Sequence, residues 1–239
     1  MTPLVLVHGF LGGSAQWESL TPPASAPREI IAVDLPGFGA NAHLPPLDRI
    51  GAMADWVIAD LRSRSVARYD LLGHSMGGMV AQEIAARDPG GVQKLVLYAT
   101  GATGVLPGRF ETIETSKRRA QEDGAKATAR RISATWFLEQ EAAPGYPACA
   151  ALAELARLEA MEAGLDAMQA WSGEAQLAHL KSETLVLWGD RDRTYAWPQI
   201  HLLWTEIENS HLAVVPGCAH AVHAEKNDLF QALLWDFLS

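Results

Sequence analysis

Six short apolar runs, rich in Val, Ile and Leu, constrain this 239-residue chain more than any other feature: Leu4–Val7, Ile30–Val33, Tyr69–Leu72, Lys94–Tyr98, Thr184–Trp188 and His211–Val215. Most show no polar–apolar alternation. A strand that is apolar on successive residues has to be covered on both faces, which is the situation of strands in a parallel sheet. Helix-patterned segments separate the runs, including Ile50–Arg64, Met76–Arg87, Trp197–Ile207 and Asn227–Leu238, the last opening on an Asn-Asp capping signal. Strand and helix in this order predict an α/β fold, with a mostly or entirely parallel sheet of about six strands and helices on both faces.

The spacing breaks once. From Gly101 to Lys181 the composition is helical, rich in Ala, Glu and Arg, and too long for a simple crossover. The predicted organisation is a core made of residues 1–100 and 182–239, with 101–181 inserted as a helical lid over the C-terminal strand ends. Within that insertion, Lys117-Arg118-Arg119 and Arg130-Arg131 read as solvated helix faces.

Composition narrows the partners. The net charge of −9 argues against nucleic acid or an anionic membrane surface. No run approaches the roughly 18 apolar residues that span a bilayer. The chain enters a strand at Leu4 without the basic and long apolar segments of a signal peptide. Cys149 and Cys218 form no C-x-x-C pair or disulfide framework, so both read as reduced thiols and the expected compartment is the cytoplasm. The expected partner is a small-molecule substrate, with no cofactor.

Chemistry concentrates at Gly73-His74-Ser75-Met76-Gly77, between an apolar run and a helix-like segment. A serine on such a strand-to-helix turn presents its hydroxyl beyond the sheet edge, and flanking glycines avoid clashes with the neighbouring strand and helix. Such a serine needs a base, an acid to orient the base, and amide donors for the developing oxyanion. His220, on the loop after the last strand, is the candidate base, with His223 as the fallback. Asp192 and Asp190 both follow the preceding strand as candidate acids. The amide after the nucleophile, that of Met76, is one expected oxyanion donor. Phe10, in the loop His8-Gly9-Phe10-Leu11-Gly12-Gly13, is the other. That loop matches neither nucleotide-binding glycine pattern. His220 and His223 lack the further ligands a metal site needs, so no metal is expected.

These features together resemble the α/β-hydrolase superfamily across essentially the whole chain. The matches, in order, are His8-Gly9-Phe10, Asp34-Leu35-Pro36-Gly37-Phe38-Gly39, Gly73 to Gly78, Gly189 to Asp192, and Gly217 to His220. The resemblance favours Asp192 over Asp190, because the family's acid commonly stands three after the glycine. It also matches Ala219 before the histidine and Glu225 after it. Within the superfamily, Glu111–Phe137 and Leu165–Leu180 look like 3-oxoadipate enol-lactonases, with Trp136-Phe137 the closest local match and Thr135 where those relatives tend to carry arginine. Cys218 before Ala-His resembles the carbon–carbon bond hydrolases. Their elbow usually has Asn where His74 stands.

The resemblance implies a hydrolase with a Ser75–His220–Asp192 triad that cleaves a small carboxylic ester or lactone (EC 3.1.1) through an acyl-enzyme. The alternatives are hydrolysis of a carbon–carbon bond in a ring-fission diketone by the same triad, and a non-catalytic ligand receptor. Trp136, Phe137 and Trp171 are the aromatics expected to line the substrate pocket.

Overall fold

The computed structural model describes residues 1–105 and 109–239. Six strands, β1 (Leu4–Val7), β2 (Ile30–Val33), β3 (Tyr69–His74), β4 (Val92–Tyr98), β5 (Glu183–Gly189) and β6 (Ser210–Val215), form one sheet in the order β2-β1-β3-β4-β5-β6. Every pairing is parallel.

The strand sequences explain why both faces are covered. Val5, Val7, Leu71 and Leu97 point into one apolar cluster, while Leu4, Leu6, Leu72, Val96 and Tyr98 point into another. Helix α1 (Ile50–Ser63) closes the first cluster with Ile50, Met53, Ala54, Val57, Ile58 and Leu61, a spacing that puts all six on one helical face. Helix α2 (Met76–Arg87) lies beside it. Leu234 and Phe230 of the C-terminal helix close the second cluster, together with Trp17.

Between β4 and β5 stand α3 (Ile113–Asp123), α4 (Ala125–Ala134), α5 (Tyr146–Ala153) and α6 (Leu158–Gln169). The two ends of this segment are tied together at its neck. Thr103 and Ser172 form an antiparallel bridge, flanked by bonds from the Gly104 amide to Trp171 O and from the Gly173 amide to Ala102 O. The two basic clusters of the segment are in ion pairs: Lys117 with Asp166, Arg118 with Glu122, Arg119 and Arg131 with Glu111, and Arg130 with Glu154.

Helix α7 (Trp197–Glu206) leads from β5 to β6, and the chain ends in the short α8 (Val222–Glu225) and α9 (Asn227–Phe237). The Asn-Asp capping reading does not hold. Lys226 is the N-cap of α9, with no side-chain cap, because the chain reaches it directly from α8, and Asn227 Oδ1 instead accepts from Ser19 Oγ. No described helix is long and apolar enough to cross a membrane.

Candidate active site

The register of the sheet brings the chemistry together. Val7 pairs with Gly73, His74 with Tyr98, Tyr98 with Leu187, and Gly189 with Val215. The residues just beyond these pairs therefore emerge at one edge: the His8 loop, Ser75, Thr100, the Asp190–Asp192 turn and the His220 loop.

Ser75 sits on the turn from β3 to α2 with φ 55° and ψ −118°, a left-handed strain for a residue bearing a side chain. The surroundings hold it there. Its amide donates to Tyr98 O at 2.9 Å, and its carbonyl accepts from Thr100 Oγ1 at 2.7 Å and from the Gly78 amide at 2.8 Å. Gly77 is required because a Cβ there would collide with the backbone carbonyls of Val7 and His8. The Ser75 hydroxyl faces a cavity and makes no hydrogen bond of ordinary geometry among the described residues. Its polar neighbour is the Tyr195 hydroxyl, whose pKa burial pushes up to about 12.

His220 is buried, and its Nδ1 lies 2.8 Å from Asp192 Oδ2. The Asp192 side chain is fully buried, and its other oxygen accepts from the amides of Thr194 at 2.7 Å and Tyr195 at 3.3 Å. Three donors thus hold this carboxylate. Asp190 does a different job: its Oδ1 accepts from the Gly217 amide at 2.7 Å and fixes the turn leading into the His220 loop. Glu225 fixes the other side of that loop, accepting from the amides of Ala219 at 2.6 Å and Leu138 at 2.7 Å.

The fallback histidine is buried beneath. The Tyr98 hydroxyl donates to His220 O at 3.1 Å, accepts from the His223 amide at 3.1 Å, and lies 2.9 Å from His223 Nδ1. With one proton on the phenol, the set is satisfied when His223 carries its proton on Nδ1. Burial, followed by neighbouring His220, drives the pKa of His223 down to about 3.

His74 stacks on Tyr98 at 4.4 Å and tilts against His220 at 4.7 Å. Burial first, then His220 and His223, hold its pKa well below the usual histidine value. His8 is also kept neutral by burial: its Nδ1 donates to Gly9 O at 2.7 Å and its Nε2 accepts from the Leu35 amide at 3.0 Å. This locks the glycine loop against Ser75, so closely that a Cβ on Gly9 would sit 3.1 Å from Ser75 Cβ. The Phe10 and Met76 amides have no acceptor among the described residues, the second being an orphan of the first turn of α2.

The cavity at Ser75 is narrow, about 40 Å³, and shares Gln16, Cys149, Leu152 and His223 with a wider cleft of about 630 Å³. Trp136 lines the narrow cavity; Phe137 and Trp171 do not. For these two the pocket-lining expectation is corrected. Phe137 packs against Ala143, Ala221 and Tyr146. Its carbonyl accepts from Arg193 Nη1 at 2.8 Å. The Trp171 indole donates to Glu83 at 2.9 Å, at the neck of the insertion. Conversely, sequence reasoning missed Tyr195, Arg109, Gln16 and His74 as cavity residues. Only Tyr195 and His74 carried a signal, by adjacency to Asp192 and Ser75.

A parallel six-stranded sheet, a strained serine between β3 and α2, and a histidine–aspartate pair on the loops after β6 and β5 define a class. The chain belongs to the alpha/beta hydrolase family, whose model matches residues 4–232. It is similar to the pimeloyl-[acyl-carrier protein] methyl ester esterase of Neisseria meningitidis, with 28% identity over 98% of this chain and 91% of that protein. It is also 28% identical, over 99% of its length, to the dihydrolipoyllysine-residue acetyltransferase component of the acetoin cleaving system of Pseudomonas putida. Of that protein it spans 63%. Among solved structures, the enol-lactonase of Burkholderia xenovorans LB400 shares the fold, with a TM-score of 0.87, 21% identity, and coverage of 99% of this chain and 91% of that one.

Proposed function

We propose that this hydrolase is a serine esterase or lactonase acting on a small carboxylic ester through an acyl-enzyme. The observation that carries the reading is the strained Ser75 at the mouth of a cavity that also exposes His220, whose Nδ1 is bonded to buried Asp192. In this mechanism His220 Nε2 takes the Ser75 proton as the hydroxyl attacks the carbonyl, and later returns it to the leaving alcohol. Asp192 keeps Nδ1 protonated and stabilises the imidazolium. The free amides of Phe10 and Met76 receive the oxyanion, each worth roughly 2.7–4 kcal/mol of transition-state stabilisation. Water, activated by His220, then hydrolyses the acyl-enzyme. The similarity to an esterase over almost the whole chain supports ester cleavage. Residues 101–181 act as the lid that walls the cavity.

The test compares wild type with Ser75→Ala on a p-nitrophenyl ester series, a 3-oxoadipate-type enol-lactone and a ring-fission diketone. Serine-dependent turnover of an ester or lactone is expected. Turnover of the diketone alone would transfer the protein to carbon–carbon hydrolysis, and undiminished ester turnover in Ser75→Ala would refute the role of Ser75.

A further inference from the structure

Among the described residues lining the Ser75 cavity, Arg109 contributes the only Lys, Arg, Asp or Glu side chain. The rest of the wall on the insertion side is apolar, from Phe110, Ile113, Ile132, Trp136, Leu152 and Met168. The cation is anchored from one side only. Its Nη1 donates to Glu111 O at 2.9 Å and to Ser116 Oγ at 3.3 Å, and the guanidinium lies over the Phe110 ring, 4.5 Å from the centroid.

No carboxylate pairs with Arg109 among the described residues, and Leu106, Pro107 and Gly108 supply none. Its Nε and Nη2 have no acceptor among the described residues. Glu111, the acid whose charge it feels, is already paired with Arg119 at 3.3 Å and Arg131 at 2.7 Å. Two guanidinium groups thus occupy this carboxylate, and Arg109 meets only the backbone carbonyl of the same residue. Arg131 shows the same surplus, with its Nε and Nη2 buried and without a partner among the described residues. Burial accordingly depresses the pKa of Arg109 from its ordinary value. Arg109, Tyr195 and Ser75 line the same cavity, and the Tyr195 hydroxyl is influenced by both the Ser75 hydroxyl and the Arg109 charge.

A partly buried guanidinium whose Nε–Nη2 edge has no acceptor among the described residues presents two parallel donors, a fork that matches a carboxylate or a phosphate. The flat carboxylate is the smaller of the two and suits a cavity of about 40 Å³. On a chain with net charge −9, such a cation is not a product of the general field. Resting on the serine-hydrolase reading above, we infer that Arg109 is an anion anchor and that the substrate is a half-ester or lactone carrying a second, free carboxylate.

The experiment compares monomethyl esters of succinic, glutaric and adipic acid with methyl esters of butyric, valeric and hexanoic acid, following acid release by titration. Wild type is expected to prefer at least one anionic ester over its neutral match in kcat/KM. Arg109→Gln should reduce that preference about ten- to one-hundred-fold, mainly through KM, as expected for losing a charge-assisted pair. Arg109→Lys keeps the charge without the fork and should retain part of the preference; it carries the test if the glutamine variant does not fold. Equal losses on both members of a pair would assign Arg109 a structural role and overturn the anchor, as would a wild-type preference for the neutral ester in all three pairs.

Glutarate binding to Ser75→Ala, by calorimetry with and without Arg109→Gln, separates this inference from the reading it rests on. Arg109-dependent binding in a protein whose wild type hydrolyses no ester would keep the anchor and sink the esterase. Serine-dependent turnover with no preference would do the reverse.

Discussion

The buried histidines make acid stability a quantitative test of the site's architecture, and His223 is where the magnitude can be worked. Its ring is 5.3 Å from that of Trp17, 5.4 Å from His74 and 5.8 Å from Tyr98. Burial holds its folded pKa at about 3, against an ordinary value of 6.5. Between those values the unfolded chain binds a proton that the folded chain does not, so stability rises with pH across the window. The contribution is fully present above about pH 6.5 and is lost progressively as pH falls toward 3. At pH 4.5, relative to pH 8, the loss from this one group is about 2.7 kcal/mol. His74 and His8 have folded pKa values lowered in the same direction and steepen the same limb. The assay is urea denaturation of wild type and His223→Gln at pH 8 and pH 4.5. The variant loses contacts with Tyr98 and will be less stable at both values, so the readout is the difference between the two pH values. That difference should shrink by about 2.7 kcal/mol in His223→Gln. An unchanged difference would refute a neutral buried His223.

Three further substitutions probe the site from other directions. Asp192→Asn keeps the shape but lets the wrong imidazole tautomer form, and kcat should fall by roughly three to four orders of magnitude with the melting curve largely retained. A smaller than ten-fold loss would remove Asp192 from the mechanism. Tyr98→Phe deletes the hydroxyl shared by His220 O and the His223 amide, leaving buried groups unpaired at a cost of roughly 1–3 kcal/mol in urea denaturation; a neutral effect would mean those bonds are not formed. Gly77→Ala drives a methyl into the Val7 and His8 carbonyls, so overpacking should cost roughly 1–3 kcal/mol, whereas a wild-type melting point would contradict the close approach.

Much of this was legible in the sequence because it depends on the sheet. The six strands begin and end within two residues of the apolar runs, and the helices after β2 and β3 start where their patterns start. Ser75, Asp192 and His220 are each tied to a strand end, so parallel register alone brings them to one edge. The two aspartates differ in the partner each carboxylate meets, His220 for Asp192 and the Gly217 amide for Asp190. What the sequence hid lies on the insertion, where no repeating register relates one residue to the core. Trp136, Phe137 and Trp171 look alike as candidate pocket aromatics, yet one lines the cavity, one is packed at 0% exposure, and one caps the neck. Arg109 sits in an unpatterned connection, and nothing local in the sequence distinguishes it from the paired cations that follow.

The separate fates of Trp136 and Phe137 follow from how the insertion is fastened. The Trp136 carbonyl accepts from the Ala221 amide at 3.0 Å, directly after His220. The carbonyls of Phe137 and Leu138 accept from Arg193, the residue after Asp192. The Leu138 amide donates to Glu225, which also holds the Ala219 amide. Three consecutive residues of the insertion are thus bonded to the backbone or side chains immediately beside His220 and Asp192. A backbone held this tightly against the core turns Phe137 inward against Ala221, and leaves Trp136, one residue earlier, on the cavity side against His220. The contacts that set the cavity wall are therefore the ones that set the histidine loop, and a change in one must be felt by the other. Arg109 and Phe110, which line the same cavity, share none of these fastenings among the described residues, so substitutions there are expected to leave the His220–Asp192 hydrogen bond in place.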